Sequence, residues 1–176
     1  MHFEKLINSI LSATDPFESI VGYFRDNDKL VTLVGNSFTK KNWPKSCGVY
    51  VVRLNSSNEV LYVGMCGKVR GEDGQVAYMN NSIFGDRVGR WTPYVFQREG
   101  PHADHWECGP TFKSSTKKPA INATNYRQKF PFIDIKIECI CLDSDWKQLT
   151  PTFVETLLLQ VYLSKNSRLP LGNNEL

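Results

Sequence analysis

Residues 48–64, GVYVVRLNSSNEVLYVG, form the stretch on which the organisation of the whole chain depends. Apolar and largely β-branched residues lie on both sides of the polar segment 55–58. A polar loop of about four or five residues between two such runs predicts a β-hairpin. Each strand carries one tyrosine, Tyr50 or Tyr62, with Gly48 or Gly64 close to it in the sequence. Tyrosines on strands often only pack on a sheet face, so the hairpin alone does not indicate a function.

The spelling of this hairpin resembles the motif of a known enzyme family. Gly48-Val49-Tyr50 followed by Tyr62-Val63-Gly64 is similar to the signature of the GIY-YIG nuclease superfamily. The resemblance implies an α+β fold with a small antiparallel three-stranded sheet flanked by helices. It also implies three partners elsewhere in the chain, namely an arginine on a helix, a glutamate on a later helix and an asparagine after that helix.

The rest of the chain supplies elements in a matching order. We expect one domain over residues 1–176, with an N-terminal helical extension at 1–45 and a long inserted loop region at 92–130. Asp15 is a predicted N-cap with Pro16 in the first helical position. Segment 75–91 has helical apolar spacing, segment 132–140 alternates as a strand does, and the chain from Thr150 onward predicts an apolar helix.

Composition excludes some classes of protein and permits others. The chain has a net charge of +3 and a mean hydropathy of −0.34. It contains no run of about 18 apolar residues and no signal-peptide pattern, so we expect neither a membrane span nor secretion. Five cysteines without a Cys-x-x-Cys pair are typical of reduced thiols in the cytoplasm. The mild positive charge permits nucleic-acid binding without requiring it.

One carboxylate on the last helix is a candidate metal ligand. Glu155 lies among apolar neighbours, where an ionised side chain either faces solvent on a polar stripe or binds a cation. The resemblance favours the second alternative, because Glu155 matches the family's metal-binding glutamate and would hold Mg²⁺, with Mn²⁺ as the alternative. The following Pro170-x-x-Asn173 is similar to the family's Pro-x-x-Asn, which makes Asn173 the matching asparagine and Asn174 the fallback.

The arginine has two candidates in segment 84–91. Phe84-Gly85-Asp86-Arg87-Val88 resembles the family's Leu-x-x-Arg-Val, so Arg87 is the match and Arg90 could take the role instead. Many relatives have His or Tyr four residues after the arginine, whereas this chain has Trp91, which cannot transfer protons.

The resemblance implies phosphodiester hydrolysis by these side chains. Tyr50 would be the general base and Tyr62 would orient the water, although the roles of the two tyrosines could be exchanged. A phenol with an ordinary pKa of about 10 needs nearby cations to act as a base at neutral pH. Arg87 would neutralise a phosphate oxygen, and a metal ion on Glu155 would offset the charge of the leaving group.

Double-stranded DNA is the expected partner. The expected DNA-binding residues are basic side chains of the glycine-rich loop after Gly64, of the predicted helix and of the insertion: Lys68, Arg70, Arg90, Lys117, Lys118 and Arg127. A short chain with an N-terminal extension and an insertion that could contact DNA fits a type II restriction enzyme. We expect it to act as a homodimer in a bacterial or phage-type cytoplasm. A homing or repair nuclease and a non-catalytic nucleic-acid-binding module remain alternatives. His102, His105 and Cys108 are a weaker zinc candidate, since they lack a clear fourth ligand.

Overall fold

The computed structural model describes residues 2–34, 44, 46–72, 75–79, 105–108, 128–142 and 149–173. These residues form an α+β fold. The helices are α1 (His2–Leu11), α2 (Pro16–Asp26) and α3 (Pro151–Asn166). The strands are β1 (Leu30–Val34), β2 (Cys47–Leu54), β3 (Val60–Cys66), β4 (Lys68–Glu72), β5 (Gln75–Met79), β6 (His105–Cys108), β7 (Gln128–Pro131) and β8 (Ile135–Leu142), with a 3₁₀ turn at Phe132–Asp134.

The main sheet has four antiparallel strands in the order β1-β8-β2-β3. The predicted hairpin is confirmed as β2 and β3, and the alternating segment supplies β8 beside β2. The predicted three-stranded sheet was wrong in its count, because β1 pairs with the outer side of β8. No helix among the described residues is long and apolar enough to cross a membrane.

Three local predictions were wrong. Residues 75–79 form a strand rather than the start of a helix, and they pair with β4, which lies in the stretch expected to be a glycine-rich loop. The insertion was expected to be irregular, yet β6 lies within it and pairs with β7 at its end. The strand predicted from 132 begins at Ile135, because Asp134 accepts hydrogen bonds from Ser56 N and Oγ at 2.8 and 2.6 Å in a preceding turn.

The helix starts agree with their capping residues. The Asp15 side chain accepts a hydrogen bond from the N–H of Glu18, and Pro16 occupies the first helical position of α2. Thr150 caps α3 by accepting from the N–H of Phe153 at 3.1 Å. Both caps satisfy an N–H group that the first helical turn leaves without a partner.

Both faces of the central strands β2 and β8 are buried, and they contribute to two separate cores. Alternate residues of β2 and β8 face the helices, where they pack with the buried side of α2 and α3. The other set forms a second core, in which Tyr50 lies. The helix-side core consists of Leu6, Phe17, Ile20, Val21, Phe24, Cys47, Val49, Val51, Val60, Val63, Ile140, Leu142, Leu149, Val154, Leu158, Leu159 and Tyr162.

A buried ion pair crosses the helix-covered face of the sheet. Arg53 on β2 is 1% exposed, and its Nε donates to Glu138 on β8 at 2.5 Å. Its Nη1 donates to Glu18 on α2 at 2.6 Å, and its guanidinium lies 5.2 Å from the ring centroid of Phe17. Arg53 therefore joins two strands and a helix in one contact network, in which removal of Arg53 or Glu138 leaves the other one buried with one partner fewer.

Candidate active site

The two tyrosines of the hairpin lie together on the sheet face opposite the helices. Tyr50 pairs across the ladder with Gly64, and Tyr62 pairs with Val52 one step along, so the tyrosines are diagonal neighbours. Their ring centroids are 5.8 Å apart and the ring planes are inclined by 34°. Tyr50 is 4% exposed, whereas Tyr62 is half-buried. The ladder thus brings two phenols that are far apart in sequence into direct contact.

Gly64 provides the space that the tyrosine pair occupies. A Cβ atom at this position would lie 2.5 Å from Tyr62 Cε1 and 2.7 Å from both Cζ and Oη of Tyr50. Each distance is well inside an ordinary carbon contact of about 3.5 to 4.0 Å. The rings can rest across β3 because this residue has no side chain. The second glycine of the hairpin motif is therefore required by packing between the two tyrosines.

Asn173 lies at the outer edge of β3 and binds its backbone. Asn173 Oδ1 accepts from the N–H of Val63 at 2.9 Å, and Asn173 Nδ2 donates to the Val63 carbonyl at 2.7 Å. Next to it, the N–H of Gly172 donates to the Leu61 carbonyl at 2.8 Å. Backbone groups on an edge strand need such partners. The segment after α3 is thus fixed along the strand that carries Tyr62.

Glu155 lies on α3 and is half-buried. One turn before it, Thr152 Oγ1 contacts Met65 Sδ at 3.4 Å, so the start of α3 lies beside the end of β3. However, α3 packs its buried side against the helix-covered face, whereas the tyrosines occupy the opposite face. The structure brings Tyr50, Tyr62 and Asn173 to one strand pair, and it packs α3, the helix that carries Glu155, against the opposite face of the sheet.

The described residues fit magnesium when a substrate supplies further ligands. Among the described residues, no group of three His, Cys, Asp or Glu side chains could hold a metal ion. Mg²⁺ is often bound by one or two carboxylates together with substrate phosphates and water. Glu155 could supply one carboxylate of that kind.

Several predicted site residues fall outside this description. Lys68 and Arg70 lie on β4, and His105 and Cys108 lie on β6, but only the backbone of these strands is described. The remaining predicted residues lie outside the described part of the chain: Arg87, Arg90, Trp91, His102, Lys117, Lys118, Arg127 and Asn174. Their placement relative to the tyrosines stays a prediction.

Thiols surround the tyrosine pair, and the sequence interpretation had not connected them with it. Cys139 on β8 is directly opposite Tyr50, while Cys66 and Cys141 lie on either side of Gly48. Burial raises the pKa of the Cys139 thiol well above its ordinary value, with smaller contributions from Cys141 and Cys66. Cys139 is therefore a neutral, weakly polar residue that packs in the same core as Tyr50. The alternation of β8 combined with the strand register would have revealed this arrangement.

The chain was compared with protein-family models, with curated proteins and with solved structures, and no match was found in any of the three comparisons.

Proposed function

We propose that this protein is a Mg²⁺-dependent endonuclease that hydrolyses phosphodiester bonds in double-stranded DNA. The observation that supports the proposal best is the contact of Tyr50 with Tyr62 over Gly64. Packing alone could be satisfied by phenylalanine rings at these positions, but a site that moves a proton requires a hydroxyl held in place. A sequence-specific type II restriction enzyme, acting as a homodimer in the cytoplasm, is the form of nuclease that we propose.

In the proposed reaction, water attacks phosphorus in line and the bond between phosphorus and the 3′ oxygen breaks. The attacking water loses a proton to the phenolate of one tyrosine, and the leaving 3′ oxygen takes up a proton from solvent. The second tyrosine orients that water by a hydrogen bond. Arg87 would balance the charge that grows on the nonbridging oxygens. Glu155 would hold the metal ion, which supplies electrostatic stabilisation of the phosphate when bound.

Two alternatives lead to different results in the same assays. A homing or repair nuclease of this type would cut at one long site or at damaged DNA, rather than at many short sites. A non-catalytic nucleic-acid-binding module would bind DNA with strong dependence on salt and would not cut it. The close contact of two phenols favours an enzyme over a binding module, since the affinity of a binding module for phosphates comes mainly from basic side chains.

Nicking of supercoiled plasmid with Mg²⁺ tests the proposal. We expect Tyr50→Phe and Glu155→Gln to lower the cleavage rate by about 100-fold or more, because each removes a reactive group without removing bulk. Tyr23→Phe is the matched control, since Tyr23 lies on α2 and its hydroxyl contacts His2. The control should cut as the wild type does.

Gel-shift assays with the same variants separate binding from cutting. We expect Glu155→Gln to retain DNA binding. Cleavage by Glu155→Gln at the wild-type rate would refute the metal assignment. An intact protein that cuts neither plasmid nor a genome-sized DNA with Mg²⁺ or Mn²⁺ would refute the nuclease proposal. Sequencing the fragment ends of the genomic digest would identify the recognition site.

A further inference from the structure

The edge of β3 carries the residues that fix the tyrosine pair. Val63 lies between Tyr62 and Gly64, and its N–H and carbonyl both point away from β2 toward Asn173. A displacement of the Val63 backbone would move Gly64 under the Tyr50 ring and move Tyr62 with it. Because a Cβ at Gly64 would overlap both rings, the backbone and the rings are already in close contact.

Both polar atoms of the Asn173 side-chain amide bind the backbone of Val63. Its oxygen accepts from Val63 and its nitrogen donates to Val63, at 2.9 and 2.7 Å. The turn that presents it is closed by a hydrogen bond from the Asn173 N–H to the Pro170 carbonyl at 2.9 Å, and Leu171 packs into the tyrosine-side core. A side-chain amide suits this arrangement, since its planar group carries a donor and an acceptor side by side, as a peptide unit does.

We infer that Asn173 is a positioning residue: it acts through the Val63 backbone to hold Tyr62 and Gly64 in the reactive arrangement, and it does not ligate metal or substrate. The inference rests on the proposed nuclease function for its effect on rate, but the contact itself can be tested without any reaction. It distinguishes Asn173 from Glu155, whose proposed role depends on its charge.

Three variants distinguish a positioning role from a ligand role. Asn173→Ala removes both hydrogen bonds. Asn173→Asp keeps an acceptor for the Val63 N–H, but it sets a carboxylate oxygen against the Val63 carbonyl and adds the charge that a metal ligand would favour. Asn166→Ala is the matched control, because the Asn166 side chain also donates to a backbone carbonyl, that of Tyr162 at the end of α3, at 2.9 Å.

For Asn173→Ala and Asn173→Asp we expect kcat to fall by about 100-fold with KM unchanged, as a small displacement of reacting groups produces. We expect faster hydrogen exchange at the Val63 amide and shifted ¹³C signals of the Tyr50 and Tyr62 rings, with the Tyr23 signal unchanged. Asn166→Ala should show none of these effects. The ring signals can be assigned from the Tyr50→Phe and Tyr62→Phe proteins.

Retained activity in Asn173→Asp would overturn the inference, because it would assign the role to the oxygen alone. Unchanged Val63 exchange or unchanged ring signals in Asn173→Ala would overturn it as well. If the wild-type protein does not cut DNA, the proposed function fails, while the exchange rate and ring signals still decide whether Asn173 holds the tyrosine pair.

Discussion

Replacing Gly64 by alanine is the most direct perturbation of the tyrosine pair. The new Cβ would lie 2.5 Å from Tyr62 Cε1 and 2.7 Å from Tyr50 Cζ, so the rings must move by about 1 Å to reach an ordinary contact. Gly64 is not among the glycines with positive φ, so the substitution acts through this overlap and not through backbone strain. Tyr62→Phe would not relieve the overlap, since the closest atom is a ring carbon.

We expect Gly64→Ala to lower the free energy of unfolding by about 1–3 kcal/mol, the usual cost of overpacking a core. A domain with an unfolding free energy of about 5–15 kcal/mol remains folded after such a loss. The cleavage rate should nevertheless fall by about 100-fold, because the phenols no longer occupy their original positions. Urea denaturation and plasmid nicking of the same preparation measure the two effects.

Gly22→Ala is the control for this experiment. Gly22 lies within α2, and a Cβ there would meet nothing within 4 Å. The same substitution should therefore raise stability by about 0.5–1 kcal/mol and leave cleavage unchanged. Wild-type stability together with wild-type cleavage in Gly64→Ala would refute the argument that close packing over this glycine sets the tyrosine geometry.

Three further predictions concern stability. Glu138→Ala should lower the free energy of unfolding by about 1–3 kcal/mol, since it leaves the buried Nε of Arg53 without an acceptor while Glu18 still binds Nη1, and Arg53→Met combined with Glu138→Leu should recover most of that loss in urea denaturation. Ser167→Gly should raise the thermal midpoint, because Ser167 ends α3 with φ of 55°, a conformation that glycine adopts without strain. Burial alone would raise the pKa of Asp15, but hydrogen bonds from Lys165 and the start of α2 outweigh it and lower the pKa. Asp15 therefore stabilises the fold above its unfolded-state pKa and loses this effect as pH falls through its lower folded-state pKa. Asp15→Asn should be less stable than the wild type at pH 7 and equal to it near about pH 2 in thermal melts at each pH.

The sequence was sufficient for elements whose pattern is strong over many residues. The hairpin, the two N-terminal helices and α3 all lie where the apolar periods and the Asp15-Pro16 pair predict. The pair β4–β5 shows the limit. Val76 and Met79 have helical spacing, and five residues are too few to separate that period from a strand. A stronger signal was overlooked: Asp73-Gly74 separates Glu72 from Gln75, which are paired, and Asp-Gly favours a two-residue hairpin.

Local sequence patterns could not predict the pairing of β1 with β8 or the contact between the two tyrosines. Whether β1 joins the sheet depends on its pairing with β8, about a hundred residues later, and such a contact leaves little trace in five residues. The sequence did supply Tyr50, Tyr62 and Asn173 as separate candidates through a resemblance. Only the three-dimensional structure shows that Asn173 holds the backbone next to Tyr62, because that contact depends on the bend after α3.

The arrangement around β3 limits the positions from which a bound phosphate could contact the proposed catalytic residues. The tyrosines lie on one face of the sheet and α3 packs on the other, and among the described residues the two sides approach each other along the outer edge of β3. Asn173 occupies that edge at Val63, and α3 touches the strand at Met65 through Thr152. A phosphate that the tyrosines and a metal ion on Glu155 could both reach would therefore lie near the end of β3, beside the segment 64–66 and next to Asn173. Replacing Met65 by a larger side chain should then lower the DNA cleavage rate by a larger factor than it lowers the equilibrium constant of folding. Equal factors for the two quantities would argue against a site at this edge.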